Sequence, residues 1–391
     1  KNADKAINNA ALYFYKVGAR AEAITARRVI VEKFKKSSFY KDQLALLAYA
    51  LEMQANFAEA SDLYETLYKE DPKHEKAAQA LYSAAIFRNA LGEPDQSIKN
   101  YKAFIKSYPE STEPASVLLP LDIASILEAQ GKWNDAARVY KEFYSTTKTD
   151  GITPDQLMYA RLQFGKALGK MNQNREELAG YKKSVDWYNA QVKKGAQFTA
   201  GAVYAAEMMF KLADIELQKY MELKLSGPTG RVNRKRENQI LRKQLDAKKE
   251  SLTKIVDTYK KVIETAAGVG GEWAVASITQ IARIYDDMGE TFLNSHTPTF
   301  LENDQQRRFY RSGMQNSASP YQEQALTEYN AALKTAYKIN LYNEHTRFAA
   351  QRRSEILPLD YPVLLEKLVN PEYTSSATTT TSFVTDYEGS K

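Results

Sequence analysis

An all-α solenoid of stacked helical hairpins is the fold this sequence predicts. A spaced phrase of small, aromatic and bulky residues returns every 37 to 41 residues through the first half of the chain. Glycine and proline number only 17 and 12 in 391 residues, too few for an all-β fold rich in tight turns. Apolar residues make up 43% and charged residues 26%, the balance of a folded chain rather than a disordered one. No stretch approaches ~18 consecutive apolar residues, so no transmembrane span is predicted.

The phrase sets a turn-prone residue first, a small residue five further on, an aromatic four beyond it and a bulky residue after three more. It reads Ala55, Ala60, Tyr64, Leu67, closed by Pro72, and again Gly92, Ser97, Tyr101, Phe104, closed by Pro109. Gly131, Ala136, Tyr140 and Phe143 follow. A looser first copy is Gly18, Ala23, Arg27 and Ile30; a degenerate fifth is Asn172, Glu177, Tyr181 and Ser184. Ala325, Tyr329 and Ala332 form a late echo. The spacing gives each residue a task. The turn residue takes a left-handed conformation that ends a first helix. The small residue lets a second helix approach the first closely, and the aromatic one turn on fills the space between them. Proline then stops the second helix. The first helices carry matching apolar stripes: Leu44, Leu47, Ala48 and Leu51; Leu81, Ala84 and Ala85; Ile123, Ala124 and Leu127. No hairpin buries its apolar face alone, so the units must stack.

These units resemble the tetratricopeptide repeat, a helix–turn–helix of about 34 residues. The resemblance implies a right-handed α-solenoid, with about five units over 1–190 and the excess over the family length placed in turns between units. Residues 191–357 read as longer hairpins. Residues 198–225 form a long first helix and 226–230 a break. A long second helix spans 234–266, with Leu245, Leu252, Val256, Tyr259 and Val262 apolar, and a turn runs from Gly268 to Gly271. A first helix at 272–290 comes next. Residues 291–319 read as an inserted loop or short helix, ahead of helices at 320–338 and 341–356. Within 358–391, Leu359 to Val369 read as a capping helix, and the Thr/Ser-rich 374–391 as extended or disordered unless a partner orders it.

Chemistry is sparse. Cysteine is absent, which excludes disulfides, thiolate metal sites and a cysteine nucleophile. His74, His296 and His345 are too scattered for a metal motif. No nucleophile elbow, phosphate loop or dinucleotide fingerprint is present, and Gly268-Val269-Gly270-Gly271 reads as a helix–helix turn. His74 reads as a surface or capping residue, and Asp286-Asp287 as a solvated helix face. No catalytic, cofactor or metal site is expected, and the chain reads as a non-enzyme.

Two surfaces stand out. Between 231 and 261, eleven Lys and Arg oppose four Asp and Glu, in a chain whose net charge is +6. Arg231, Arg234, Lys235, Arg236, Arg242 and Lys243 lead this stretch, which reads as a solvated helix face or as a surface for an acidic protein or anionic lipid. Nucleic acid is not expected, because no recognised nucleic-acid module accompanies the charge. In the resembling family, first helices line a concave groove. Here that face would carry Leu12 and Tyr15, Ala45 and Tyr49, Tyr82 and Ile86, Leu121 and Ser125, then Tyr159 and Leu162. Tyr15, Tyr49, Tyr82, Ile86 and Tyr159 are the candidate groove contacts, unless some pack between neighbouring units. The basic clamp of chaperone-binding members is missing, since Asn8, Leu12, Ala45, Tyr49, Gln79 and Ser83 stand there.

The expected function is a non-enzymatic scaffold that joins proteins of a larger assembly. Tyr101-Lys102-Ala103-Phe104-Ile105-Lys106-Ser107-Tyr108-Pro109-Glu110-Ser111 looks like a variant found in periplasmic members of the family from Gram-negative bacteria, in outer-membrane assembly, cell division or gliding motility. That resemblance implies a periplasmic or envelope location. The alternative is a cytoplasmic adaptor or regulator that binds peptide tails. No secretory signal is visible, and the chain starts at Lys1 without an initiator Met, as a mature or trimmed form would.

Overall fold

The computed structural model describes residues 2–362 apart from 148 and 269. Among these, fifteen α-helices follow one another with one short 3-10 helix, Ser116–Leu118, and no strand forms beyond one isolated bridge, Thr112 to Ala115. The first half contains α1 (Ala3–Lys16), α2 (Arg20–Lys33), α3 (Tyr40–Glu52), α4 (Phe57–Glu70) and α5 (Ala77–Ala90). It continues with α6 (Pro94–Ser107), α7 (Leu119–Ala129), α8 (Trp133–Tyr144), α9 (Pro154–Lys170) and α10 (Asn174–Lys193). Longer helices follow: α11 (Ala200–Glu222), α12 (Arg234–Ala266), α13 (Gly271–Leu293), α14 (Asp304–Lys338) and then α15 (Glu344–Ile356). Each helix packs on the next in sequence, and later first helices also meet one another, α9 on α11, α11 on α13 and α13 on α15. This is an α-solenoid.

The repeated phrase positions each pair as its chemistry requires. Gly18, Gly92 and Gly131 have φ of 80°, 79° and 70°, and the non-glycine turn residues Ala55 and Asn172 take 59° and 60°. Ala60, Ser97 and Ala136 have no exposed surface, so the second helix lies against its partner at each. Tyr64, Tyr101, Tyr140 and Tyr181 are buried one turn further along. The residues beyond the usual repeat length fall between units, at 34–39, 71–76, 108–118 and 145–153.

The fifth unit is regular in space though degenerate in sequence. Glu177 replaces the small residue of α10, and the small residue has moved to α9. A Cβ on Gly169 would stand 2.6 Å from the Glu177 carboxylate, and one on Gly165 would stand 2.2 Å from the Tyr181 ring. Bulk has been exchanged across the interface, and the close approach is kept.

Buried tyrosines on second helices also bond to acids on first helices. The Tyr64 hydroxyl donates to Glu52 at 2.6 Å, Tyr259 to Asp214 at 2.6 Å and Tyr329 to Asp286 at 3.2 Å. Burial pushes the Asp214 and Asp286 carboxyls above the usual range, although the tyrosine bonds act the other way. Asp286 also accepts from Arg352 at 2.8 Å. Asp287 pairs with Lys224 at 3.0 Å and with the buried Lys248. The expectation that Asp286-Asp287 forms a solvated face is therefore corrected: α13 lies between α11, α12, α14 and α15, and both acids are held by basic residues of those neighbours and of the α11–α12 connection.

The insertion expected at 291–319 is much shorter. Only 294–303 leaves the helix, and α14 then runs unbroken through Pro320. Proline lacks the N–H that would bond Asn316, a loss of ~3 kcal/mol in an isolated helix. Packing on α13 overrides it. Pro320 faces solvent while Met288, Phe292 and Ala318 bury beside it, and the Phe292 and Tyr321 rings stack at 5.7 Å. Gly289 permits this contact, since a Cβ there would meet Gln322 at 2.9 Å. Residues 358–360 form a turn where the expected capping helix would begin, and 363–369 of that helix and the 374–391 tail lie outside the described residues.

The turn geometry yields a stability test. Ala55 carries a left-handed backbone that costs an L-residue roughly 1–2 kcal/mol, while open space surrounds the equivalent Gly92. Ala55→Gly should raise unfolding free energy in urea by about 0.5–1 kcal/mol, and Gly92→Ala should lower it by a similar amount. Opposite signs would contradict the assignment of these residues to the same structural position.

Candidate functional site

The face formed by the first helices leaves a row of apolar side chains in solvent. Tyr15 is 58% exposed, Tyr49 50%, Leu12 41% and Ile86 40%. Met53 extends the row at 62%. The row arises because α1, α3 and α5 spend one stripe on their second helices and have a second apolar stripe left over. Sequence reasoning missed Met53, although it stands four residues after Tyr49 and so on the same helical face.

Other residues expected there pack against neighbouring rings instead, Tyr82 within its own unit and Tyr159 between units. The Tyr82 ring centroid lies 6.0 Å from that of Tyr101 and 6.2 Å from that of Phe104, and burial pushes its hydroxyl above its ordinary pKa. Tyr159 stands 6.3 Å from Tyr140 and 5.7 Å from Tyr204, and its hydroxyl accepts from Gln163. Both remain half-buried. Ala45 and Leu162 are buried and leave the surface altogether. The causes differ: Tyr82 lies against the rings of its own second helix α6, whereas α9 packs on α11 directly, so the fifth unit's face is partly covered by its successor. The exposed apolar row is thus concentrated on the first three units.

The basic stretch forms the solvent side of α12 and the residues before it. Arg231, Arg234, Lys235, Arg236, Arg242 and Lys243 are all exposed. Lys248 is not: it is fully buried, with its ammonium bonded to the Leu223 carbonyl at 2.7 Å, paired with Asp287 and 4.3 Å from the Tyr220 ring centroid. Burial lowers its pKa, against the pull of Asp287. It is a structural cation and leaves the basic surface.

The histidines have local structural partners. His74 Nε2 meets Asp42 at 2.9 Å, and its Nδ1 accepts from the Lys76 amide at 3.1 Å, which ties the turn between α4 and α5. His296 Nε2 lies 2.7 Å from Glu237, a carboxylate 59 residues earlier in sequence. Burial lowers the His345 pKa. Among the described residues no cluster of His, Asp or Glu could hold a metal ion, and no helix is long and apolar enough to cross a membrane.

Residues 79–111 match the tetratricopeptide repeat family. That window spans α5 and α6 with Gly92, Ser97, Tyr101, Phe104 and Pro109, and helix pairs on both sides repeat its geometry. The chain thus carries a tetratricopeptide repeat at 79–111, set within an α-solenoid of similar helix pairs. Solved structures with similarity include the C-terminal part of a repeat-containing protein of this type from Cytophaga hutchinsonii, at 13% identity over 81% of this chain and 97% of that one, with a TM-score of 0.38. Another is the MamA protein, at 13% identity over 51% of this chain and 98% of that one, with a TM-score of 0.33. No curated protein sequence matches the chain. Tetratricopeptide repeats generally mediate contacts between proteins.

Burial separates the tyrosines into two groups that melting can distinguish. Tyr101→Ala removes a ring that is 5% exposed and should cost about 3–5 kcal/mol. Tyr49→Ala should stay within about 0.5 kcal/mol of the parent, and Tyr82→Ala should fall between them. Equal losses at Tyr49 and Tyr101 would show that Tyr49 is a core residue.

Proposed function

We propose that the chain is a non-enzymatic scaffold that binds an extended or helical segment of a partner protein along the first-helix face of its first three units. The observation that carries this is the exposed row of Leu12, Tyr15, Tyr49, Met53 and Ile86. Tyrosine offers a large apolar contact at small rotamer cost, with a hydroxyl for a hydrogen bond. Apolar side chains left in solvent on three successive first helices supply the surface for such a contact.

The reading extends to a multi-protein assembly of the bacterial envelope, with the chain in the periplasm or attached to the envelope. Its support is the phrase Tyr101 to Ser111, in which Tyr108 and Pro109 close the third unit. The structure gives this phrase a local task. The Tyr108 hydroxyl donates to the Pro72 carbonyl at 2.7 Å, and its ring lies 5.2 Å from that of Phe104, so it fastens one inter-unit turn to the next.

Affinity purification of the tagged full chain after in-cell cross-linking tests both parts. Partners captured by the parent should be lost from Tyr15→Ala/Tyr49→Ala, with affinity reduced by at least about thirtyfold if both side chains are central to the contact. The same partners and the chain itself should appear in the periplasmic or envelope fraction. Unchanged capture by the double variant would contradict the groove, and recovery only from cytosol would contradict the location.

A further inference from the structure

The long second helices α12 and α14 enclose a cleft that short repeats have no room for. They run parallel, both antiparallel to α13, and their N-terminal ends are bridged by residues 294–303. Phe292 of α13, Leu241 and Leu245 of α12, Phe300 of the bridge and Met314 of α14 line a cavity of about 290 Å³. A second hollow of about 600 Å³ shares its Phe300, Tyr310 and Met314 walls and opens beside Arg234 and Phe309. Phe309 is 84% exposed.

The walls are fixed by bonds unrelated to any use of the space. Glu237 is fully buried and accepts from His296 at 2.7 Å, from the Thr299 amide at 2.9 Å and from the Thr299 hydroxyl at 2.8 Å. Tyr310 donates to the His296 carbonyl at 2.9 Å, and Arg311 donates to the Leu293 carbonyl at 3.1 Å. The bridge is therefore riveted to both helices, so the hollow is preformed and a ligand need not order it.

The surrounding charge is predominantly positive. Over 231–249 and 301–311, ten exposed Lys and Arg side chains face only three exposed carboxylates, Asp246, Glu302 and Asp304. Arg234 and Arg242 themselves line the two hollows, and the Arg234 guanidinium lies 4.9 Å from the Phe300 ring centroid. Apolar lining behind a basic rim is complementary to bulky apolar side chains set among carboxylates.

We propose that this cleft is a second docking site, for an acidic segment of another protein that seats two neighbouring bulky apolar side chains in the paired hollows. A membrane surface is disfavoured because the apolar lining is recessed between helices and Phe309 alone stands well clear of it. The site lies between the second helices α12 and α14, away from the row on α1, α3 and α5, and stands independently of the groove reading.

The test selects a random twelve-residue peptide library on the full chain and titrates the enriched peptides against it. Two variants accompany the parent: Arg234→Glu/Arg242→Glu, which reverses rim charge on exposed positions, and Leu241→Trp, which fills the cavity. Each is checked for parental helicity and melting, and Tyr49→Ala serves as the control for the groove. Enriched peptides should pair Trp, Phe or Leu with Asp and Glu. They should lose at least about tenfold in affinity on either cleft variant, keep it on Tyr49→Ala and weaken as salt rises. Peptides that lack acids, or that bind both folded cleft variants as well as the parent, would overturn the assignment. So would vesicles of phosphatidylserine and phosphatidylcholine binding through Phe309 while no cleft-dependent peptide is enriched.

Discussion

Close approach of two helices at a small residue is the constraint on which the rest of this structure depends. At Ala60, Ser97 and Ala136 the second helix has no exposed surface, and the tyrosine four residues on fills the wider gap beyond. A pair closed in this way still has apolar faces left over, so it stacks on its neighbours and the array propagates. The fifth unit shows that the geometry, rather than the residue at one position, is what is maintained: Glu177 is tolerated because Gly169 and Gly165 yield the space from the other side. The recurrent tyrosine–carboxylate bonds supply the polar counterpart. They satisfy a hydroxyl that would otherwise be buried without a partner, and a buried unpaired hydroxyl is costly.

Function follows from what stacking leaves uncovered. In the first three units the first helices are short and meet chiefly their own second helices and the preceding ones, so an apolar row stays in solvent. From α9 onward the first helices pack on one another, which buries Leu162, half-covers Tyr159 and ends the row. The same elongation that closes this face opens the other. Helices α12 and α14 extend past the stack of shorter pairs, and their basic ends flank a hollow that the bridge at 294–303 holds open. Two surfaces of different chemistry thus arise from one change, the lengthening of the repeat.

Much of the fold was legible because it is local. The turn residues Gly18, Ala55, Gly92, Gly131 and Asn172 all proved left-handed, and the 234–266 helix was bounded by its flanking Ser-Gly-Pro and Gly-rich breaks. What failed was set by contacts distant in sequence. Pro320 signals a helix start on local grounds, and only the facing Gly289 and Phe292 make α14 continuous through it. Lys248 reads as one more surface charge until Asp287 is brought to it, and Asp286 reads as solvated until Tyr329 and Arg352 close over it. Tyr82 and Tyr159 carry the right spacing for a groove, but the rings of α6 against Tyr82, and of α8 and α11 against Tyr159, decide how much of each is open. The paired hollows join residues from α12, α13, α14 and the bridge, and no spacing rule could have collected them.

The most direct measurement is urea unfolding of three variants that enlarge the small residue, Ala60→Leu, Ser97→Leu and Ala136→Leu, beside Ala129→Leu at an exposed position of α7. Overpacking at a tight helix contact costs about 1–3 kcal/mol, whereas a surface change of this kind stays within about 0.5 kcal/mol. If close approach at these residues holds the array together, each of the three should lose stability in the larger range while Ala129→Leu stays near the parent. Losses at Ala60, Ser97 and Ala136 no greater than at Ala129 would contradict it.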